Sequence, residues 1–530
     1  MKHAGLLAAS AAIALAFSTP GHVFAETPAD TLVIADKIDD IVSLDPAESF
    51  EFSGNDMLNN IYDTLVELDP ADLGPLVPGL AESWELADDG VTYTFQIRQG
   101  VKFESGNEMT AEDAAFSLQR AVILDKTPSF ILDQFGFTAD NVAEKIKATG
   151  DYELTIVTDK PYAPSFFYNC LTAGVAAIVD KEAAMANEVD GDMGHEWLKS
   201  NSAGTGAYNL RSYKPSESYV LEAKDEYWRG TPALKRVFLR HVAEPATQRL
   251  LLEKGDIDIA RKLTPVDIEG IADNGDVKVV DEVKGRIMYV SLNQKKEPLN
   301  NPAVIEAFKY LIDYEGMSST FLKGQYRTHQ SFLPAGFLGA IEDTPYSLDV
   351  EKAKAILDEA GVEPFTFLIY VRNDQERLDM AQSFQSTLAQ AGITAELRVG
   401  TGSEILGEYR ARNHDVYLGA WGPDYPDPHT NADTFARNPG NADEDANTGI
   451  LAWRNAWEAK EVNDLTNAAV LEKDSEKRAV LYEDIQRTHQ EVSPFMPMFQ
   501  QIQQVAMQNS VEGFSQGGSI HSAFYWATTK

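Results

Sequence analysis

LAESWELADDGVTYTFQIRQGVKFESGNEMTAEDAAFSLQR, residues 80–120, carries the densest local code in this chain of 530 residues. Val91, Tyr93, Phe95 and Ile97 alternate with Thr92, Thr94, Gln96 and Arg98, the period-two pattern of a strand with one buried face. Asp88-Asp89-Gly90 ahead of it is a turn signal. Thr110 followed three residues on by Asp113 resembles a capping box, with the shorter acid in place of glutamate. The helix it opens sets Ala111, Ala114, Leu118 and Ala121 on one face. These side chains fill a core and carry no chemistry of their own.

The same alternation of strand and helix runs outward from this stretch. Residues 31–36 read as a strand, 55–67 as a helix, 237–241 as a strand and 247–254 as a helix closed by Gly255. Ile257 and Ile259 begin another strand. The clearest unit lies further on. Val350, Ala353, Leu357 and Ala360 form a helical stripe closed by Gly361, and Phe365, Phe367, Ile369 and Val371 then alternate as a strand. Leu378, Ala381, Phe384 and Leu388 make the next helical face, closed by Gly392, before Ile393, Ala395, Leu397 and Val399 alternate again. Strand, helix and strand of this length imply a βαβ crossover, with parallel pairing and a right-handed connection. A short strand over residues 416–420 follows. Ligands of open α/β sheets sit beyond the carboxyl ends of strands, which directs attention to what comes after residue 420.

Residues 421–429 are Trp421, Gly422, Pro423, Asp424, Tyr425, Pro426, Asp427, Pro428 and His429. Aromatic rings supply flat contact area at low entropy cost, and prolines pre-set the backbone. Asp424 offers a carboxylate to a cation. The same composition also suits a rigid surface loop.

Length predicts more than one domain. An apolar fraction of 44% excludes a disordered acidic chain. A formal charge of -37 repels nucleic acid and anionic membrane, and because the acids are spread along the chain it suits solubility, including in saline surroundings, with steering of cationic ligands as the alternative. Lys2 and His3, the apolar run 4–17 and Val23-Phe24-Ala25 form a cleavable secretory signal over residues 1–25. The expected product starts at Glu26 in the periplasm. No cysteine closes the run, so a lipid anchor is not expected; Cys170 stands alone, so no internal disulfide forms.

The opening stretch resembles the signature of the family 5 extracellular solute-binding proteins, the peptide-binding components of ABC importers. That pattern runs from LA-x-S-W through G-x-T-Y-T-F-x-(L/I)-R-x-G-V-x-F to (L/M)-T-A-E-D. Ser43-Leu44-Asp45-Pro46 is similar to the family's early LDP, and Gly204-Thr205-Gly206-Ala207-Tyr208 to its GTGPY, with alanine for proline. Val304, Ala307, Tyr310, Ile312 and Asp313 match a helix motif, and Val511-Glu512-Gly513-Phe514 the closing segment. The resemblance implies an α/β fold of the type II periplasmic-binding kind, with two hinged lobes and an extra family-specific domain. Lobe I would comprise residues 26–70, 201–283 and 500–530, the extra domain 71–200 and lobe II 284–499, with hinge crossings near 284 and 500.

The resemblance also implies a site. In peptide-binding members a strand ending in tryptophan leads, three residues later, to an aspartate that pairs with the ligand's α-amine; Trp421 and Asp424 keep that spacing. Gly422 and Tyr425 accompany them. Phe50 and Phe52 join because the loop after LDP faces the cleft in the family. Leu418 stands in the neighbourhood where an oligopeptide-binding member has arginine, so a ligand carboxylate has no matched partner, and Pro423 removes a backbone donor. The implied partners are a small peptide-like, amine-bearing ligand, an inner-membrane ABC permease and its ATPase subunits; the implied state is a monomer without cofactor or metal. An opine-like or metal-chelate ligand is the alternative, and a secreted hydrolase the remote one.

Enzyme motifs fail on context. Gly513-Phe514-Ser515-Gln516-Gly517 fits G-x-S-x-G, but only thirteen residues follow it and no acid lies between it and His521. Asp443, Asp445 and Asn447 begin like a calcium loop, yet the glycine falls one place late, at Gly449, and position twelve is Arg454. His195-Glu196 lacks the second histidine of a zinc helix, and no phosphate-cradling glycine loop appears.

Overall fold

The computed structural model describes residues 27–68, 76–517 and 523–530. The expected signal segment and cleavage point, and His521, lie outside the described residues. One eleven-stranded sheet runs through the molecule. From one edge its order is Thr394–Gly400, Thr366–Arg372, Val416–Trp421, Val277–Leu292, Phe495–Gln508, Ile259–Ala260, Thr31–Asp36, Arg236–His241, Ser218–Ala223 and Tyr208–Lys214, with Tyr326–Thr328 also paired to Phe495–Gln508.

The expected βαβ unit is present. Thr366–Arg372 and Thr394–Gly400 pair in parallel along their whole length, joined by the helix Gln375–Gln390, and Val416–Trp421 lies parallel on the other side. Met380, Ala381, Phe384 and Leu388 are buried on the helix, against Phe367, Ile369 and Val371 in one core. A second core, with Leu32, Ile34, Val237, Leu239 and Ile259, fills the other end of the sheet.

Residues 80–120 build the strand and the helix that their pattern predicts, the strand in a sheet apart from the large one. Ala81–Leu86 and Thr92–Ile97 pair antiparallel in a four-stranded sheet, with Tyr93 and Phe95 wholly buried. The capping box forms, the Thr110 amide donating to Asp113 at 2.9 Å, and Ala111, Ala114 and Leu118 of the helix Ala111–Leu124 are fully buried. Arg120, on the same helix, reaches out of this unit and grips both oxygens of buried Asp45 at 2.7 and 2.5 Å.

Two elements depart from the sequence reading. The helix expected over residues 55–67 spans Phe52–Ile61, and Val66–Leu68 is a short strand. The cause is tertiary: the Asp63 carboxylate accepts from Thr205, Tyr227 and Trp228 at 2.8, 2.7 and 3.0 Å, which holds the chain extended after Tyr62. The strand begun at Ile257 is only Ile259–Ala260.

Two strands span both halves of the sheet. Val277–Leu292 and Phe495–Gln508 pair from Val277 with Gln508 to Val283 with Ile502, and the ladder resumes at Ile287 with Gln500. Lys284, Gly285 and Arg286 therefore stand opposite Gln501 alone, a bulge that breaks pairing and re-aims side chains.

Candidate functional site

The bulge opens onto a cleft of about 400 Å³. One wall comes from strand ends and helix starts in the first half of the sheet. Thr31–Asp36 and Ile259–Ala260 run parallel, so Asp36 and Arg261 emerge together at their carboxyl ends, the position where such sheets present ligand-binding groups. The N-terminal half of the helix Phe52–Ile61 adds Phe52, Ser53 and Asp56. The floor is the pair of spanning strands, with Lys284, Arg286 and residues 501–504. The far wall holds Glu376, in the first turn of Gln375–Gln390, together with Gly422 and Pro423.

The charges here are arranged in pairs. Arg261 is bound to Asp56 and lies 3.1 Å from Asp36. Arg286 donates to Glu376 at 3.3 Å. Lys284 donates to the Gln516 carbonyl at 2.6 Å, and burial pushes its ammonium down to about 8. Glutamines fill the space between charges, and Gln325 and Gln504 are fixed by bonds to the Leu263 carbonyl and to Asp281, both at 2.9 Å.

The residues singled out from sequence divide between two surroundings. Phe52 is 62% exposed and lines the cleft with Gly422; a Cβ placed on Gly422 would meet the Phe52 ring at 3.5 Å. Trp421 packs on a further apolar cluster that includes Tyr289, Tyr417 and Phe435, and its indole N–H is buried without an acceptor among the described residues. Asp424 is half-buried; its amide donates to Thr430 Oγ1 at 3.0 Å, while its carboxylate has no hydrogen bond or ion pair among the described residues. Desolvation pushes that carboxyl up to about 7.

Phe50 and Tyr425 do not face the cleft, which corrects the expectation for both. Phe50 is partly buried and meets Phe130 edge-on at 5.9 Å. Tyr425 is 3% exposed and belongs to the core of the four-stranded unit, its ring 5.8 Å from that of Phe166 and its hydroxyl 3.4 Å from Gln134. The loop runs between the cleft and the four-stranded unit, so Gly422 and Pro423 face one and Tyr425 the other. Asp427 completes the second side: Arg478 binds both its oxygens at 2.7 Å, and Asn169 of the extra domain reaches it at 3.3 Å. Burial opposes ionisation of Asp427, but the Arg478 guanidinium holds it below the usual carboxylate range.

Sequence reasoning missed the cleft's cations. The signals were present: Arg261-Lys262 follows directly on a short apolar strand, and Lys284-Gly285-Arg286 interrupts an otherwise regular long one.

The model of the bacterial extracellular solute-binding proteins, family 5 (middle region), matches residues 75–443. The chain belongs to this family. Two curated relatives are each 29% identical to this solute-binding protein. The probable D,D-dipeptide-binding periplasmic protein DdpA of Escherichia coli K12 aligns over 496 residues, 92% of each chain. Di/tripeptide-binding protein 2 of Pseudomonas aeruginosa UCBPP-PA14 aligns over 476 residues, 86% of each. Among solved structures, the periplasmic binding protein DppA of Helicobacter pylori in complex with peptide STSA superposes with a TM-score of 0.79 at 24% identity, covering 94% of this chain and 98% of that one. The fold is that of the type II periplasmic binding proteins, and family members are binders of solutes. No described helix of this solute-binding protein is long and apolar enough to cross a membrane.

Proposed function

We propose that this solute-binding protein captures a peptide or peptide-like solute carrying an amine in the periplasm and hands it, chemically unchanged, to an ABC permease and its ATPase subunits. Asp424 carries the reading. It follows the carboxyl end of Val416–Trp421, beside cleft-lining Gly422 and Pro423, and its carboxylate has no partner among the described residues. A carboxylate at such a site is costly unless it meets a cation, and a ligand ammonium is one. The names of the two curated relatives, a D,D-dipeptide binder and a di/tripeptide binder, support the same class. Closure would pivot at the bulge formed by residues 284–286, where the two spanning strands lose their pairing and so offer least resistance to rotation.

The test is calorimetry with a dipeptide and its N-acetyl derivative. Removing one partner of a buried pair costs about 3–5 kcal/mol, roughly a hundred- to several-thousand-fold in Kd. Asp424→Asn should lose affinity on that scale for the free-amine dipeptide, and the loss should vanish for the acetylated one. Affinity within about threefold of wild type, the range expected for an exposed acid, would sink the reading.

A further inference from the structure

The four-stranded unit touches both halves of the large sheet but is tied by the chain to only one. The chain enters it after the helix Phe52–Ile61 and leaves it into the strand Tyr208–Lys214, and Met57, Leu58, Ile61 and Tyr208 all lie in the core that holds Leu32 and Ile34. Its contact with the other half is noncovalent and centres on one short helix, Pro164–Cys170. Ser165 Oγ accepts from Arg478 at 3.1 Å, and the Asn169 side-chain amide donates to Asp427 at 3.3 Å. Between them Phe166 meets the rings of Tyr425 and His429 at 5.8 and 4.9 Å. The backbone amide of Ala163, just before the helix, donates to the Val470 carbonyl at 2.9 Å. Asp427, Val470 and Arg478 all belong to the chain between the two spanning strands.

This seam shares its loop with the cleft. Gly422 and Pro423 face the cleft, while Tyr425, Asp427 and His429 lie in the seam, so the wall cannot shift relative to Ser165 and Asn169 without disturbing the contact. Rotation about residues 284–286 would carry the second half away from the first, and the four-stranded unit stays with the half that its chain enters. We infer that the helix Pro164–Cys170 is a latch on the cleft, and that Ser165 and Asn169 are positioning residues which hold the wall at residues 422–424 through Arg478 and Asp427 without touching the solute. The latch is engaged in this structure and parts as the cleft opens. Both polar links end on a charged group, which makes them stronger than bonds between neutral groups. Parting also withdraws Tyr425, 3% exposed, from the core of the four-stranded unit. The closed arrangement is favoured accordingly, and a bound solute leaves only as fast as the latch releases. The inference rests on the reading of this cleft as the solute site.

Hydrogen exchange at Ala163 reads the latch directly, because its amide is bonded across the seam. In wild type a saturating dipeptide should slow that exchange. Ser165→Ala and Asn169→Ala, small truncations outside the cleft, should each speed it about five- to thirtyfold without solute. Each should also enlarge the radius of gyration of ligand-free protein. In stopped-flow measurements both variants should release the dipeptide faster by a similar factor, at a little-changed association rate. Tyr168→Phe, on the face of the same helix turned to Trp84 and Tyr93, should leave every readout unchanged. A merely structural contact would lower the unfolding midpoint of the variants but leave dissociation at the wild-type rate, and that result overturns the inference. So does Ala163 exchange that ignores both the dipeptide and the substitutions. If no dipeptide binds, the peptide reading falls alone, and the latch is judged on ligand-free exchange in the two variants, where a wild-type rate overturns it.

Discussion

A carboxyl held near 7 makes the protein pH-sensitive in a direction that follows from Asp424 itself. Its folded-state value, about 7, lies above the ordinary 3.8. The folded state therefore binds a proton that the unfolded chain releases, so the stability tied to this group is present below about pH 4 and lost as pH rises to about 7. In denaturant titrations of ligand-free protein, Asp424→Asn should match wild type near pH 4 and exceed it by about 1–3 kcal/mol at pH 8, less than the full shift implies because the group is only half-buried. Binding has the opposite slope. An ammonium requires the ionised form, so dipeptide affinity should increase between pH 5 and 8 in wild type and stay flat in Asp424→Asn. A flat wild-type profile would mean that the solute neutralises nothing there.

At the scale of elements, the resemblance of residues 204–208 to GTGPY has a steric reason. A Cβ on Gly206 would sit 2.4 Å from the Ile61 carbonyl carbon and 2.6 Å from the Asn60 oxygen, and one on Gly204 would sit 2.0 Å from the Ile61 oxygen. These glycines let the chain cross the end of the helix Phe52–Ile61, whose first turn lines the cleft. Gly206→Ala should cost at least about 1–3 kcal/mol in urea titrations. Gly407→Ala, on an open helical surface with nothing near its added carbon, should gain about 0.5–1 kcal/mol. Equal effects at the two positions would refute the contact. Periodicity made the βαβ unit legible because its strands and helix are paired and buried along their whole length. It failed at residues 62–68, where Asp63 is drawn into a hydrogen-bond network with residues more than a hundred positions away. The site was half legible for a similar reason. Position after a strand end marked Gly422, which lines the cleft, but which way Tyr425 faced depended on packing against the four-stranded unit that no local pattern records.

At the scale of the molecule, the unit around the four-stranded sheet reaches the buried Asp427–Arg478 pair through Asn169, at 3.3 Å from Asp427. Arg478 also donates to Ser165 at 3.1 Å, and both charges are essentially inaccessible. Arg478→Met should destabilise by about 3–5 kcal/mol, because it leaves Asp427 buried and unpaired. Adding Asp427→Asn should recover part of that loss; no recovery would show that packing, not charge, holds the contact. Scattering should report a smaller radius of gyration once a dipeptide saturates the cleft, and an unchanged radius would count against pivoting at residues 284–286. The loop 421–429 itself sets a rule for descent with modification. Its Gly422 and Pro423 line the cleft, while Tyr425 and Asp427, two and four residues later, are built into the neighbouring domain. A lineage shifting toward a new solute can exchange side chains at 422–424 one at a time, but it cannot lengthen or shorten this wall without also dislodging Tyr425. New specificities are therefore expected to arise by substitution here, and insertions to accumulate elsewhere around the cleft.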